Sequence, residues 1–149
     1  MDSRPTDSDW QLDWKTLLEP LQELEDCSIC PRDCHADRTS DKLGFCKSGV
    51  GFAISSIFAH MGEEPVLSGT RGICNIFFTH CNMQCVYCQN YQISRNREAT
   101  AADIESIASV VRTIERHLER GVPSVGFVSP SHFVPQVKAI MNVLRARGH

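Results

Sequence analysis

The chain has 149 residues, 42% of them apolar and 22% charged, with a net charge of −3, which suits an ordinary globular chain and excludes a disordered one. It holds no run of about 18 apolar residues, no apolar signal core in Met1–Asp7 and no basic block. A membrane protein and a secreted protein are therefore not expected, nucleic acid is an unfavoured partner, and the cytoplasm is the expected compartment.

Residues 1–26 read as a polar lead-in followed by a short packing helix with apolar positions at Trp14, Leu17, Leu18, Leu21 and Leu24. A cysteine group follows at Cys27, Cys30, Cys34 and Cys46, and four thiolates are a complete ligand set for zinc or for an iron-sulfur cluster. Gly44 and Gly49 allow tight turns around Cys46, and Pro31 stiffens the first loop. His35, beside Cys34, reads as a surface residue more readily than as a ligand. Residues 50–60 read as a strand, and Gly62-Glu63-Glu64-Pro65 as a solvated turn.

Gly72–Thr79 is apolar and rich in β-branched and aromatic residues, so it reads as a buried strand in which Cys74 is a small buried side chain. Beyond its end comes Cys81-Asn82-Met83-Gln84-Cys85-Val86-Tyr87-Cys88, a C-x3-C-x2-C run with no fourth cysteine nearby. Three thiolates suit a [4Fe-4S] cube that keeps one iron open, and an open iron implies chemistry rather than electron storage alone. Eight cysteines in a chain of this kind point to metal rather than disulfides, because cytosolic thiols stay reduced.

Thr100 and Asp103 form a helix start signal, after which Ile104, Ile107, Val111, Ile114 and Leu118 keep one stripe until Gly121. Val122–Ser129 reads as a second strand, and Val137, Ile140, Met141 and Leu144 mark a second helix. The βαβα order predicts a parallel sheet. Ser129, Ser131 and His132, in the loop after the second strand, are candidate polar contacts for a ligand, with helix capping the plainer role for Ser131.

The stretch from Ile76-Phe77-Phe78-Thr79-His80-Cys81 through Cys88-Gln89-Asn90-Tyr91-Gln92-Ile93-Ser94 resembles radical S-adenosylmethionine (SAM) proteins, in particular those similar to pyruvate formate-lyase activating enzyme. The resemblance extends to the Cys-Pro-Arg-x-Cys and Gly-Phe-Cys of the first cysteine group. It implies that Cys81, Cys85 and Cys88 ligate a [4Fe-4S] cluster, that Tyr87 lies near the adenine of SAM, and that Asn90 contacts the cluster or cofactor. It further implies reductive SAM cleavage to a 5′-deoxyadenosyl radical, an electron donor of the flavodoxin or ferredoxin type, and a protein substrate of the glycyl-radical class. Gly62–Pro65 is similar to an element that binds the SAM amino group in such proteins, but that element follows the second strand, whereas this one precedes the cysteines.

The resemblance also implies a fold: a partial radical SAM (βα) barrel of two βα units over residues 72–149, preceded by a cysteine-rich module with a short strand over residues 1–71. About four further units would be missing, so a truncated product or half of an assembly is expected. The alternative from another class is a non-catalytic metal-binding fragment, holding zinc or iron-sulfur, with a structural or electron-transfer role.

Overall fold

A computed structural model describes residues 10–40, 42–96 and 104–149. The N-terminal helix is short because Pro20 interrupts it: α1 covers Trp14–Leu17, capped by Asp13, and a 3₁₀ turn continues over Glu19–Leu24. Leu24 is fully buried. Four strands follow, β1 Phe52–His60, β2 Ile73–Phe78, β3 Ile104–Glu105 and β4 Val125–Val128. Between them stand α2 Pro65–Ser68, α3 Tyr91–Ser94 and α4 Ile107–Glu119, and α5 Val134–Ala146 comes last.

The sheet has the order β3-β1-β2-β4 and is mixed. β1 runs antiparallel to both neighbours, with Ile57 opposite Ile76 and Phe52 opposite Glu105, and only β2 and β4 are parallel, with Cys74 opposite Val125. This corrects the expected parallel sheet and partial (βα) barrel. β1 occupies the flank of β2 where a parallel barrel would place another parallel strand, and the short link from His60 to Ile73 reverses the chain without a crossover helix. The strand of residues 1–71 and those of residues 72–149 thus share one sheet.

The core lies between this sheet and the two long helices. Phe78 stacks on Phe133 with ring centroids 4.5 Å apart, and Ile76, Val110, Val111, Ile114, Ile140 and Val143 are fully enclosed with it. The stripe read for the first helix holds at Ile107, Val111 and Ile114, but the helix begins later than expected. Ser106 caps it by accepting the Ser109 amide at 3.1 Å, and Ile104 belongs to β3. Thr100 and Asp103 lie outside the described residues. Cys74 is wholly buried, and burial pushes its thiol up to about 11, so it stays a neutral packing group. Among the described residues no helix is long and apolar enough to cross a membrane.

Candidate metal and cofactor sites

Both cysteine groups lie on irregular backbone. All six described non-glycine residues with positive φ are at or beside them: Asp33, His35 and Lys47 in the first group, His80 and Gln84 in the second, and Ser129 at the end of β4. Left-handed conformations cost side-chain-bearing residues free energy, so they persist where surrounding contacts impose them.

In the second group, Cys81 and Cys88 line one cavity of about 40 Å³ together with Phe77, Phe78, His80, Asn90, Ile93, Ser94, Val128 and Ser129. The cavity sits at the C-terminal ends of β2 and β4, where two parallel strands deliver their loops to one place. Hydrogen-bond donors face both sulfurs. The Met83 amide donates to Cys81 Sγ at 3.3 Å, and the Ser94 hydroxyl lies 3.3 Å from Cys88 Sγ. Gln84 ties the loop closed by donating to the carbonyls of Cys81 and Ser94. Burial lowers the affinity of the His80 imidazole for a proton.

Cys85 is exposed and does not line this cavity, and Tyr87, 84% exposed, stands away from it. Asn90 does line it, as the residue before α3, and its carbonyl accepts the amides of Ile93 and Ser94. Of the loop after β4, Ser129 borders the cavity, Ser131 donates to Asn82 Oδ1 at 2.9 Å, and His132 is buried with its Nε2 3.0 Å from the Thr79 carbonyl. Burial, with the nearby Arg38 and His80 charges, holds the His132 imidazole down to about 4, so it is neutral and anchors the loop rather than meeting a ligand there.

In the first group, Cys27, Cys30, Cys34 and Cys46 all line a single small cavity, together with Arg38 and His132. Cys27 pairs with Ala36 in an isolated bridge, which folds the Cys30–Cys34 turn back over it. Gly44 is required by close approach: a Cβ there would stand 3.2 Å from Cys34 Sγ and 3.1 Å from its Cβ. His35 is at the surface, paired with Asp26 at 2.9 Å and Asp33 at 3.4 Å, and the hydrogen bond and charge of Asp26, then Asp33, raise its pKa.

Sequence reasoning missed Arg38. It is 2% exposed and donates to three carbonyls, those of Ser48 at 2.8 Å, Gly49 at 2.9 Å and His132 at 2.7 Å, with Nη1 3.8 Å from Cys27 Sγ. Glu63, read as solvated, accepts the Asn75 amide at 3.1 Å and lies 3.4 Å from His60 Nδ1, so it fastens the turn before β2 to that strand.

The donor chemistry of both groups fits metal, since thiolates and their hydrogen-bond donors are what soft metal sites use. Among the described residues no three histidine, cysteine, aspartate or glutamate side chains yet converge closely enough to hold an ion. In the second group Cys81 and Cys88 are brought to one cavity and Cys85 is not. In the first group all four cysteines share one.

No family profile and no solved structure match the chain. It is similar to an uncharacterized protein of Methanocaldococcus jannaschii, 38% identical over 72 residues. The match covers 48% of this chain and 20% of that protein, so the chain corresponds to about a fifth of the length of the curated relative it matches.

Proposed function

We propose that Cys81, Cys85 and Cys88 ligate a [4Fe-4S] cluster whose open iron takes SAM, and that the protein takes part in reductive SAM cleavage in the cytoplasm. The observation that carries this reading is the placement of Cys81 and Cys88 on one cavity at the ends of the parallel pair β2 and β4, with a donor at each sulfur. The bound cluster and SAM would supply one-electron cleavage of a carbon-sulfur bond.

The chain's own residues have separate tasks. The Met83 amide and the Ser94 hydroxyl stabilise thiolate charge on Cys81 and Cys88 and tune the reduction potential. Phe77 and Phe78 give the cavity an apolar wall, which limits water at a radical-forming site. Asn90 and Ser129, which line the cavity, would orient SAM. An electron donor of the flavodoxin or ferredoxin type and a glycyl-radical protein substrate complete the proposal.

The test is anaerobic reconstitution with iron and sulfide, then an assay for methionine and 5′-deoxyadenosine after reduction with SAM present. The expected result is cluster incorporation and SAM cleavage, both lost in Cys85→Ser. Full cleavage by that variant would overturn the assignment. A cluster that forms without yielding 5′-deoxyadenosine, or zinc alone, would favour the second reading, a non-catalytic metal-binding protein, to which the shared cavity of the four N-terminal cysteines already lends weight.

A further inference from the structure

We infer that Cys27, Cys30, Cys34 and Cys46 hold one tetrahedral zinc-type ion rather than a cluster, and that this ion braces the Cys81–Cys88 loop. The cavity that all four cysteines line is about 10 Å³, close to the roughly 10–15 Å³ that one water needs, against about 40 Å³ at the second group. The smaller space favours a single ion.

Charge calls for a metal at these thiolates. Arg38 is a buried cation, and among the described residues it has no carboxylate partner; its partners are three neutral carbonyls, the sulfur of Cys27 and the face of the Phe133 ring at 5.4 Å. A buried charge without a counter-ion is costly. Four thiolates around one divalent ion carry a net charge of about −2, which supplies the missing counter-ion beside Arg38. A further polar group at this cavity lacks a partner: His132 lines it, is 2% exposed, and its Nδ1 has no hydrogen bond among the described residues. Closing the four sulfurs to about 2.3 Å around an ion would convert binding energy into folding energy for this segment.

The brace follows from contacts through which Arg32 and Asn96 join the two groups. Arg32, between Cys30 and Cys34, donates to the Asn82 carbonyl at 3.0 Å and stacks on Phe45 at 3.9 Å. Asn82 follows Cys81 directly. Asn96 donates both to the carbonyl of Phe45, next to Cys46, at 2.9 Å and to that of Cys81 at 2.8 Å, while its Oδ1 accepts the Cys81 amide. Fixing Cys30, Cys34 and Cys46 on one ion therefore fixes Arg32 and Phe45, and through them the backbone of Cys81 and Asn82.

The experiment uses the whole chain with Cys81, Cys85 and Cys88 all changed to Ser, so that only the first group and the buried Cys74 keep thiols. Titrated with cobalt(II), it should take one equivalent and develop the absorption of tetrahedral all-thiolate coordination, which one equivalent of zinc then abolishes. Absence of that spectrum, or an iron-sulfide chromophore on reconstitution in its place, would overturn the single-ion site. In the unmodified chain, zinc alone should slow hydrogen exchange of the Cys81 amide at least tenfold, and Arg32→Gln should remove most of that protection while still binding zinc. Unchanged exchange on zinc addition would overturn the brace, whatever the outcome for SAM cleavage.

Discussion

The two cysteine groups differ in enclosure more than in number. Cys27 and Cys46 are buried, Cys30 is half-buried and Cys34 exposed, and all four share a cavity with a buried arginine, whereas no cysteine of the second group is buried and Cys85 and its neighbours Met83, Val86 and Tyr87 face solvent. A site whose ligands are complete can only hold its metal and lend rigidity. A site with too few ligands and an open side can exchange what it binds. The enclosed group is thus suited to architecture and the open one to chemistry, and the hydrogen bonds of Arg32 and Asn96 join the first to the second.

The hardest test of this contrast is Arg38→Leu. It strips the buried carbonyls of Ser48 and His132 of this donor, leaves the Gly49 carbonyl to Gln136 and removes the cation beside Cys27, so a loss of about 3–5 kcal/mol is expected in urea denaturation, with failure to retain zinc. A variant of near-normal stability would show that the enclosed group is not held by its arginine.

Glu115 offers a control far from both groups. Burial raises its pKa, but the hydrogen bond and charge of Arg147 at 2.7 Å, then of His149 at 3.2 Å, outweigh burial and hold the carboxyl below its ordinary 4.5. A carboxyl held low in the folded state stabilises it above the ordinary value, and this is lost as pH falls below 4.5 through the folded value. Glu115→Gln should cost about 1.5–3 kcal/mol at pH 7 and flatten the stability profile at acid pH. An unchanged acid profile would remove this pair from the stability of the fold.

Smaller effects separate the groups further. Gly44→Ala crowds Cys34 and should cost about 1–3 kcal/mol together with weaker zinc retention, leaving iron uptake at Cys81, Cys85 and Cys88 nearly intact when zinc is saturating. Tyr87→Ser, on the open side, should move stability by less than about 0.5 kcal/mol. A large shift would mean that Tyr87 packs against something the open loop does not display.

Much of this arrangement could be read from residue patterns, and the failures have physical causes. The β2 strand and the stripes of α4 and α5 were legible because burial on a regular element leaves a period. The antiparallel pairing of β1 was not legible from connection length: the twelve residues between His60 and Ile73 just allow a parallel crossover, and the four-residue α2 that they hold is seen only in the fold. The late start of α4 was hidden because Ser106 has no acidic residue three positions on, whereas Thr100 does. Arg38 had no signal at all, since an arginine in a polar loop is normally solvated and only the packed fold places His132 over it. Cys81 and Cys88 line one cavity and Cys85 does not, and spacing alone does not say which way Cys85 turns.

The Arg38 bond to His132 also orders events in time. Its partners lie 94 positions apart, so the wall of the first cavity is not finished until the turn after β4 has formed. The four cysteines meet early, as neighbours within twenty residues of chain, but their enclosure waits for a contact of high sequence separation. During synthesis, a metal captured by these thiols would remain open to exchange until His132 docks, and only then would it become slow to leave.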